Sequence, residues 1–363
     1  MEKKEKKIIT KIIILSTLIF LTFVSIACTY PISKGFRRLF DKCFDIKTQG
    51  LVVHYIDVGQ GDAIAIQFPN SEIVLIDSGT KDSQNKIVQY LQNKVLKSNR
   101  DKVIDYLILT HSDIDHSGGM CAVFSEFEVK TFYRPSIASV NESTEGFLTQ
   151  VETVEYDEII KSANAEKNIK IKTIEDGINF NVGSAKIEFF GPLEYYGNTN
   201  EVSPLIKISY SGVSMLFTGD VQVEAEQDLV EKYGDKLGAD ILKVGHHGSS
   251  DASSEELIQA VKPKFSIISV GENNTYGHPS IDVMLRIANA GAKIYRTDIS
   301  GDIRLWCYKD KVEKLQDNVI ITRDFIEWWI IGLTINVILV VNMAITINQL
   351  IKTRKEEDKF SSI

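Results

Sequence analysis

Residues 110–119 read THSDIDHSGG, with two histidines and two aspartates in six consecutive positions. Imidazole and carboxylate donors together suit Zn²⁺, Mn²⁺ or iron. The spacing HxDxDH does not bring all four side chains comfortably to one ion. It is natural for two neighbouring ions, with His111 and Asp113 facing one and Asp115 and His116 the other. Gly118 and Gly119 let the backbone turn tightly behind them. The other use for such residues is to cap a helix.

Further donors follow downstream. LFTGD puts Asp220 directly after an apolar run, where a carboxylate can bridge two ions, although Gly-Asp after a strand is also a common turn. LKVGHHGS places His246 and His247 after another apolar run. Adjacent histidines point in different directions, so one can ligate while the other hydrogen-bonds or meets substrate. NNTYGHPS sets His278 in a turn. Five of the six histidines fall in THSDIDHSGG, LKVGHHGS and NNTYGHPS. The sixth, His54 in VVHYIDV, reads as structural.

These residues need strand ends to hold them. LVVHYIDV, AIAIQF and EIVLIDS read as short strands, and NKIVQYLQNKVL has helical spacing. KVIDYLILT is a continuous apolar strand of the kind buried between layers, and the HxDxDH loop leaves it. The polar, acidic stretch 140–168 reads as a loop or helix over one face. AKIEFFGP, PLIKISYSG, VSMLFTGD, ADILKVG, FSIISVG, KIYRT and GDIRLWCY read as strands. VQVEAEQDLVEKYG, SSEELIQAVK and DVMLRIANAG read as helices between them. Strands alternating with helices in two similar halves predict a layered α/β domain, with active-site loops at strand ends.

The chain of 363 residues is 44% apolar and 25% charged, as in an ordinary globular protein. Two uncharged apolar runs stand apart, at 12–28 and 328–351. A bilayer core needs roughly 20 apolar residues, which the second run supplies, with Trp328 and Trp329 suited to an interface. The first reads as a transmembrane anchor, a signal peptide, or a lipoprotein signal ending at Cys28. The expected organisation is 1–30 anchor or signal, 31–50 linker, 51–322 the α/β domain, 325–351 a C-terminal transmembrane helix, and 352–363 a charged cytoplasmic tail. Lysines outside both runs place the termini in the cytoplasm and the domain outside the cell. The net charge is -8, and about -12 once the basic segments 1–11 and 352–363 are set aside. Such a domain does not attract a polyanion by its overall field. Four cysteines without a CxxC pair do not indicate a thiolate zinc site.

Taken together, the segments HYIDVGQGDAIAI, LIDSG, THSDIDHSGG, LFTGD, LKVGHHGS and YGHPS resemble the metallo-β-lactamase superfamily. More narrowly, they resemble the extracellular hydrolase domain of the ComEC/Rec2 competence proteins. The whole pattern also resembles the superfamily's phosphorylcholine esterases. The resemblance implies an αββα sandwich with metals at the shared edge of its sheets, here flanked by the two membrane helices. It implies two divalent ions, Zn²⁺ or Mn²⁺. His111 and Asp113 would serve one, Asp115, His116 and His247 the other, and Asp220 would bridge. A bridging hydroxide would be the nucleophile, oriented by Asp115, with His246 and His278 at the catalytic rim. Asp57, Gln60, Asp62 and Asp77 would shape the surrounding loops rather than ligate. The chain departs from the superfamily's HxHxDH by carrying Asp113, and it has no histidine between His116 and His246, where Asn198, Asn200 and Ser203 stand. The first ion is therefore expected to be held more weakly. Competence proteins are channels with many spans; with at most two, this chain is expected to be a free-standing domain held at the membrane. The expected activity is hydrolysis of a phosphodiester in DNA, a nucleotide or a cell-wall polymer. The alternative is a non-catalytic binding or scaffolding module of a membrane complex with a weakened metal site.

Overall fold

The computed structural model describes residues 50–96, 102–135, 154–194, 196 and 198–315, with isolated helical positions at 16, 345, 347, 348, 351 and 352. The apolar runs at 12–28 and 328–351 and the linker at 31–50 lie outside the described residues, apart from such single positions. Among the described residues no helix is long and apolar enough to cross a membrane. The chain divides into two compact units, Gln49–Leu315 and the terminal segments 1–48 with 316–363. Both sheets belong to the first unit.

Six strands open that unit: β1 (Leu51–Tyr55), β2 (Ile64–Gln67), β3 (Ile73–Ile76), β4 (Val103–Ile108), β5 (Glu128–Arg134) and β6 (Lys170–Thr173). Seven more follow: β7 (Asn179–Val182), β8 (Ala185–Phe190), β9 (Leu205–Tyr210), β10 (Val213–Phe217), β11 (Ile241–Lys243), β12 (Phe265–Ile268) and β13 (Lys293–Arg296). A last hairpin, β14 (Ile303–Tyr308) and β15 (Lys311–Leu315), returns to the first sheet. The sheet orders are β15-β14-β1-β2-β3-β4-β5-β6 and β13-β12-β11-β10-β9-β8-β7. Each sheet begins antiparallel and turns parallel, at β3–β6 in one and β10–β13 in the other.

The apolar runs of the sequence become strands buried on both faces, and the two-residue side-chain period sorts them into separate cores. Val74 and Ile76 of β3, Ile206 and Ile208 of β9, and Met215 and Phe217 of β10 meet in the layer between the sheets. Their neighbours Ile73 and Leu75 face outward, under α1 (Gln84–Tyr90), α3 (Met120–Glu126) and α4 (Val154–Ala165). Leu205, Leu216 and Leu242 face the other way, under α5 (Val223–Tyr233), α6 (Glu255–Val261) and α7 (Ile281–Asn289). The result is an αββα sandwich, as the family resemblance implies, while the two membrane helices expected to flank it fall, single positions apart, outside the described residues. The short helix α2 (Ile114–Ser117) lies between β4 and α3, and α8 (Thr297–Ser300) follows β13. The stretch 140–168 supplies α4, whose Tyr156, Ile159 and Ala163 pack onto the first sheet. Strands β5, β6, β7 and β15 had no separate signature in the sequence.

Candidate metal centre

The loops that carry the candidate ligands leave the C-terminal ends of parallel strands, where helical crossovers leave an open edge, while the β1–β2 turn and the segment between β8 and β9 supply supporting residues. Asp77 follows β3, Thr110–His116 follow β4, Asp220 follows β10, His246 and His247 follow β11, and His278 follows β12. Backbone bonds lock these loops to one another. Ser78 N–H donates to the His116 carbonyl at 2.7 Å, Asp62 N–H to that of Asp115 at 3.1 Å, and His246 N–H to that of Gly219 at 3.1 Å.

The three buried imidazoles at the sheet edge are built alike. His116 holds Nδ1 at 2.8 Å from Asp77 Oδ2. Asp77 in turn accepts the Thr110 N–H and hydroxyl, both at 2.8 Å. With its proton given to Asp77, the Thr110 hydroxyl is left to accept from His111 Nδ1 at 3.1 Å, beside the Ser203 hydroxyl at 3.2 Å. His247 Nδ1 donates to the Ser269 carbonyl at 2.9 Å. An acceptor behind each Nδ1 fixes the tautomer that leaves Nε2 as the forward donor atom, the arrangement found behind metal-bound histidines.

The forward atoms converge. His116 Nε2 lies 3.2 Å from Asp220 Oδ1 and 3.4 Å from His247 Nε2. His247 Nε2 lies 3.3 Å from Asp220 Oδ2 and 3.1 Å from Asp115 Oδ2. Ligands of a tetrahedral ion with bonds of ~2.0–2.1 Å stand roughly 3.3 Å apart, so this set fits a small divalent ion. His111 Nε2 is buried without a hydrogen-bond partner and lies 3.9 Å from Asp113 Oδ2. Such an orphan is costly in an interior unless a ligand satisfies it. Of the six residues expected to ligate, His116, Asp220 and His247 converge, Asp115 meets His247, and His111 and Asp113 form a looser pair beside them. Asp113 stands least engaged, its side chain 40% exposed and held by the Thr199 hydroxyl at 2.7 Å. Asp113 occupies the N-cap position of α2, yet its carboxylate caps no helix N–H, so capping does not account for it.

Charge follows geometry. Burial alone would raise the Asp220 carboxyl, but the His116 and His247 charges and hydrogen bonds hold it well below the usual range. Burial likewise opposes ionisation of His247, yet Asp220 and the Asp115 hydrogen bond push it up to about 9. His116 is raised too, Asp220 and Asp77 outweighing its burial. Asp115 is lowered despite burial by its bond to His247 and the charge of His116. His111, buried and beside His116, is lowered.

Asp62 enters the same buried group: one oxygen lies within 4.8 Å of donor atoms of His116, Asp220 and His247. Its neighbours argue that it does not ligate. Its Oδ1 stands 3.7 Å from Nδ1 of His247, behind the ring rather than before it, and its Oδ2 pairs with Lys243 Nζ at 2.8 Å. Lys243 is fully buried and also donates to the Val244 carbonyl at 2.7 Å. The sequence motifs leave Lys243 out, and its signal is a lysine inside the apolar run ADILKVG, just before two histidines. Ser203 and Thr199 were also missed as site residues; they support His111 and Asp113 from the segment where no histidine stands. Gln60 accepts the Gly271 N–H at 3.1 Å, tying the β1–β2 turn to the loop after β12. His54 lies elsewhere, against the Tyr90 hydroxyl at 3.1 Å.

At the rim, His246 Nδ1 meets Asp251 at 3.1 Å and its Nε2 lies 3.8 Å from Asp220 Oδ2. His246 and His247 both adopt left-handed backbone, φ 46° and 54°. Two successive non-glycine residues there cost about 1–3 kcal/mol each, strain that turns the two rings in different directions. His278 stands half-buried beside His246, with ring centroids 5.7 Å apart. Its ring is lowered in pKa by burial and by His246 and His247.

The match to a family model decides the kinship: the metallo-β-lactamase superfamily model aligns with residues 56–272. The chain belongs to the metallo-β-lactamase superfamily. Within it, the chain is 30% identical over 278 residues to ComE operon protein 3 of Bacillus subtilis, covering 72% of this chain and 33% of that one. It is 31% identical over 250 residues to competence protein ComA of Neisseria gonorrhoeae, covering 68% and 31%. It is 27% identical over 267 residues to recombination protein 2 of Haemophilus influenzae, covering 72% and 29%. The resemblance to the competence family is thus borne out, and this metallo-β-lactamase-fold chain spans about a third of the length of those relatives.

Proposed function

We propose that this chain is a metal-dependent phosphodiesterase, holding two divalent ions, Zn²⁺ or Mn²⁺. The observation that carries the reading is the convergence of His116 and His247 Nε2 on Asp220, at 3.2 and 3.3 Å, with the unpartnered Nε2 of His111 buried beside His116 and each ring locked from behind. Asp115, His116 and His247 would hold one ion, His111 and Asp113 the other, with Asp220 shared. Bound there, such ions polarise a phosphoryl oxygen and lower the pKa of water. Asp115, its side chain 28% exposed, faces the open side and would also orient the attacking water. His246 and His278 bind the phosphoryl oxygens from the rim. The charged ends and apolar runs of the sequence support a domain held outside the cytoplasmic membrane face, on a phosphodiester of DNA, a nucleotide or the cell wall.

The test is hydrolysis of bis-p-nitrophenyl phosphate by the full chain with Zn²⁺ or Mn²⁺, beside Asp220→Asn. Metal-dependent turnover that falls at least a hundredfold in the variant supports the proposal. No turnover by folded, metal-loaded protein refutes generic phosphodiesterase chemistry. Failure to retain any ion on dialysis would move the reading to a binding or scaffolding module, for which Asp113 in place of a histidine is the favouring observation.

A further inference from the structure

Three rings leave the metal centre in a row. His246 stands next to Asp220, His278 lies 5.7 Å beyond it, and Tyr276 stacks on His278 with centroids 5.6 Å apart and planes inclined by 24°. Tyr276 is 70% exposed. One face of its ring is backed by imidazole, and the residue is otherwise open to solvent. The loop that presents it is held firmly. Asn274 donates to the carbonyls of Gly271 and His278 at 3.0 and 2.7 Å and accepts the His278 N–H at 3.0 Å. Gln60 holds Gly271 from the other side, and the Ser280 N–H donates to the Gly248 carbonyl at 2.8 Å. An aromatic face kept in water on a braced loop, two rings from the candidate metal centre, is a preorganised surface for another flat ring.

Resting on the phosphodiesterase reading, we infer that Tyr276, backed by His278, is the stacking platform for a nucleobase flanking the scissile phosphodiester. The substrate is then single-stranded nucleic acid rather than a wall polymer. Stacking on an aromatic side chain is worth about 1–3 kcal/mol per base, and a polyol phosphate offers no such face. The charge bears on how such a strand would be held. A domain of about -12 has no field to collect a polyanion, so affinity must come from the ions and from contacts that ignore charge. A base stacked in a duplex has no free face for Tyr276, which selects unpaired strands.

The test uses the full chain with Mn²⁺ and two short oligodeoxynucleotides, one intact and one with abasic residues beside the cleavable linkage. Wild type should prefer the intact strand by roughly 5- to 150-fold in kcat/KM, the factor for 1–3 kcal/mol. Tyr276→Ala should lose the preference and Tyr276→Phe keep it. Tyr276→Trp gives a readout independent of turnover: its fluorescence should be quenched on mixing with the intact strand and not with the abasic one, against the wild-type chain as background. Equal cleavage of both strands by wild type, with no quench in Tyr276→Trp, would overturn the inference. So would loss of poly(glycerol phosphate) cleavage in Tyr276→Ala with oligonucleotide cleavage untouched. Absence of bis-p-nitrophenyl phosphate turnover is a failure of the phosphodiesterase reading alone, since the quench still decides for or against the platform.

Discussion

Replacing Lys243 with methionine should cost far more stability than the loss of a surface lysine. Its ammonium is fully buried, 2.8 Å from Asp62 Oδ2. Asp62 is itself 1% exposed, and its other oxygen has no hydrogen-bond partner. Methionine fills a similar volume but leaves the carboxylate buried and uncompensated, at a cost of about 3–5 kcal/mol. Against a total stability of about 5–15 kcal/mol, that is a large share. Asp62→Ala with Lys243→Met removes both charges, so the double variant should be at least about 2 kcal/mol more stable than the two single losses added together. Lys86→Ala supplies the contrast. Its pair with Asp57 spans 3.0 Å, but the side chains are 49% and 31% exposed, so its loss should cost under about 1 kcal/mol and shrink with salt. Guanidinium titrations at pH 7 in a chelator, which separates charge balance from metal binding, give all the values. A Lys243→Met cost below about 1 kcal/mol, or simple additivity with Asp62→Ala, would refute the view that this pair neutralises itself behind His247.

Asp77→Asn should weaken metal binding about 10- to 100-fold by loosening the His116 tautomer; calorimetric titration with Zn²⁺ checks it, and unchanged affinity would show that His116 needs no backing. Burial lifts the Glu226 carboxyl to about 7 from its ordinary 4.5. A carboxyl that is harder to ionise in the folded state stabilises the fold fully below about pH 4.5 and loses that contribution as the pH rises through 7, by roughly 3 kcal/mol at most. Melting curves across that window should therefore fall more steeply for wild type than for Glu226→Gln, and parallel curves would contradict the assignment. Gly119→Ala would set a Cβ 2.4 Å from the Ser78 carbonyl oxygen, so it should cost at least about 1–3 kcal/mol by denaturant titration; a neutral result would mean that the α2–α3 corner yields freely.

The layered fold was legible because its parallel strands are buried on both faces and so read as unbroken apolar runs, such as VSMLF and FSII. Strands that carry charge were not: Glu128 and Lys130 of β5 are exposed, and KIKT and NFNV of β6 and β7 lie toward sheet edges. The forward donors of the centre were legible from residue type and from their place after apolar runs. The groups behind them were not, since a carbonyl such as that of Ser269, or a hydroxyl such as that of Ser203, has no signature until the chain is folded. The turn expected at Gly118–Gly119 is present, yet Gly119 is needed for close approach to Ser78 rather than for a left-handed backbone.

The distance along the chain between the two imidazoles that meet at the centre has a consequence for time rather than for energy. His116 and His247 are 131 residues apart, one on each sheet, and neither half of the sandwich holds both. Their encounter requires the two sheets to have docked, so the pair belongs among the last contacts made, in a fold whose non-local pairings already make for slow closure. Interactions that form after the rate-limiting step slow unfolding and leave the folding rate nearly unchanged. An ion gripped between these two residues would therefore act as a latch on the finished molecule: its removal would shorten the lifetime of the native state while leaving the refolding rate almost where it was.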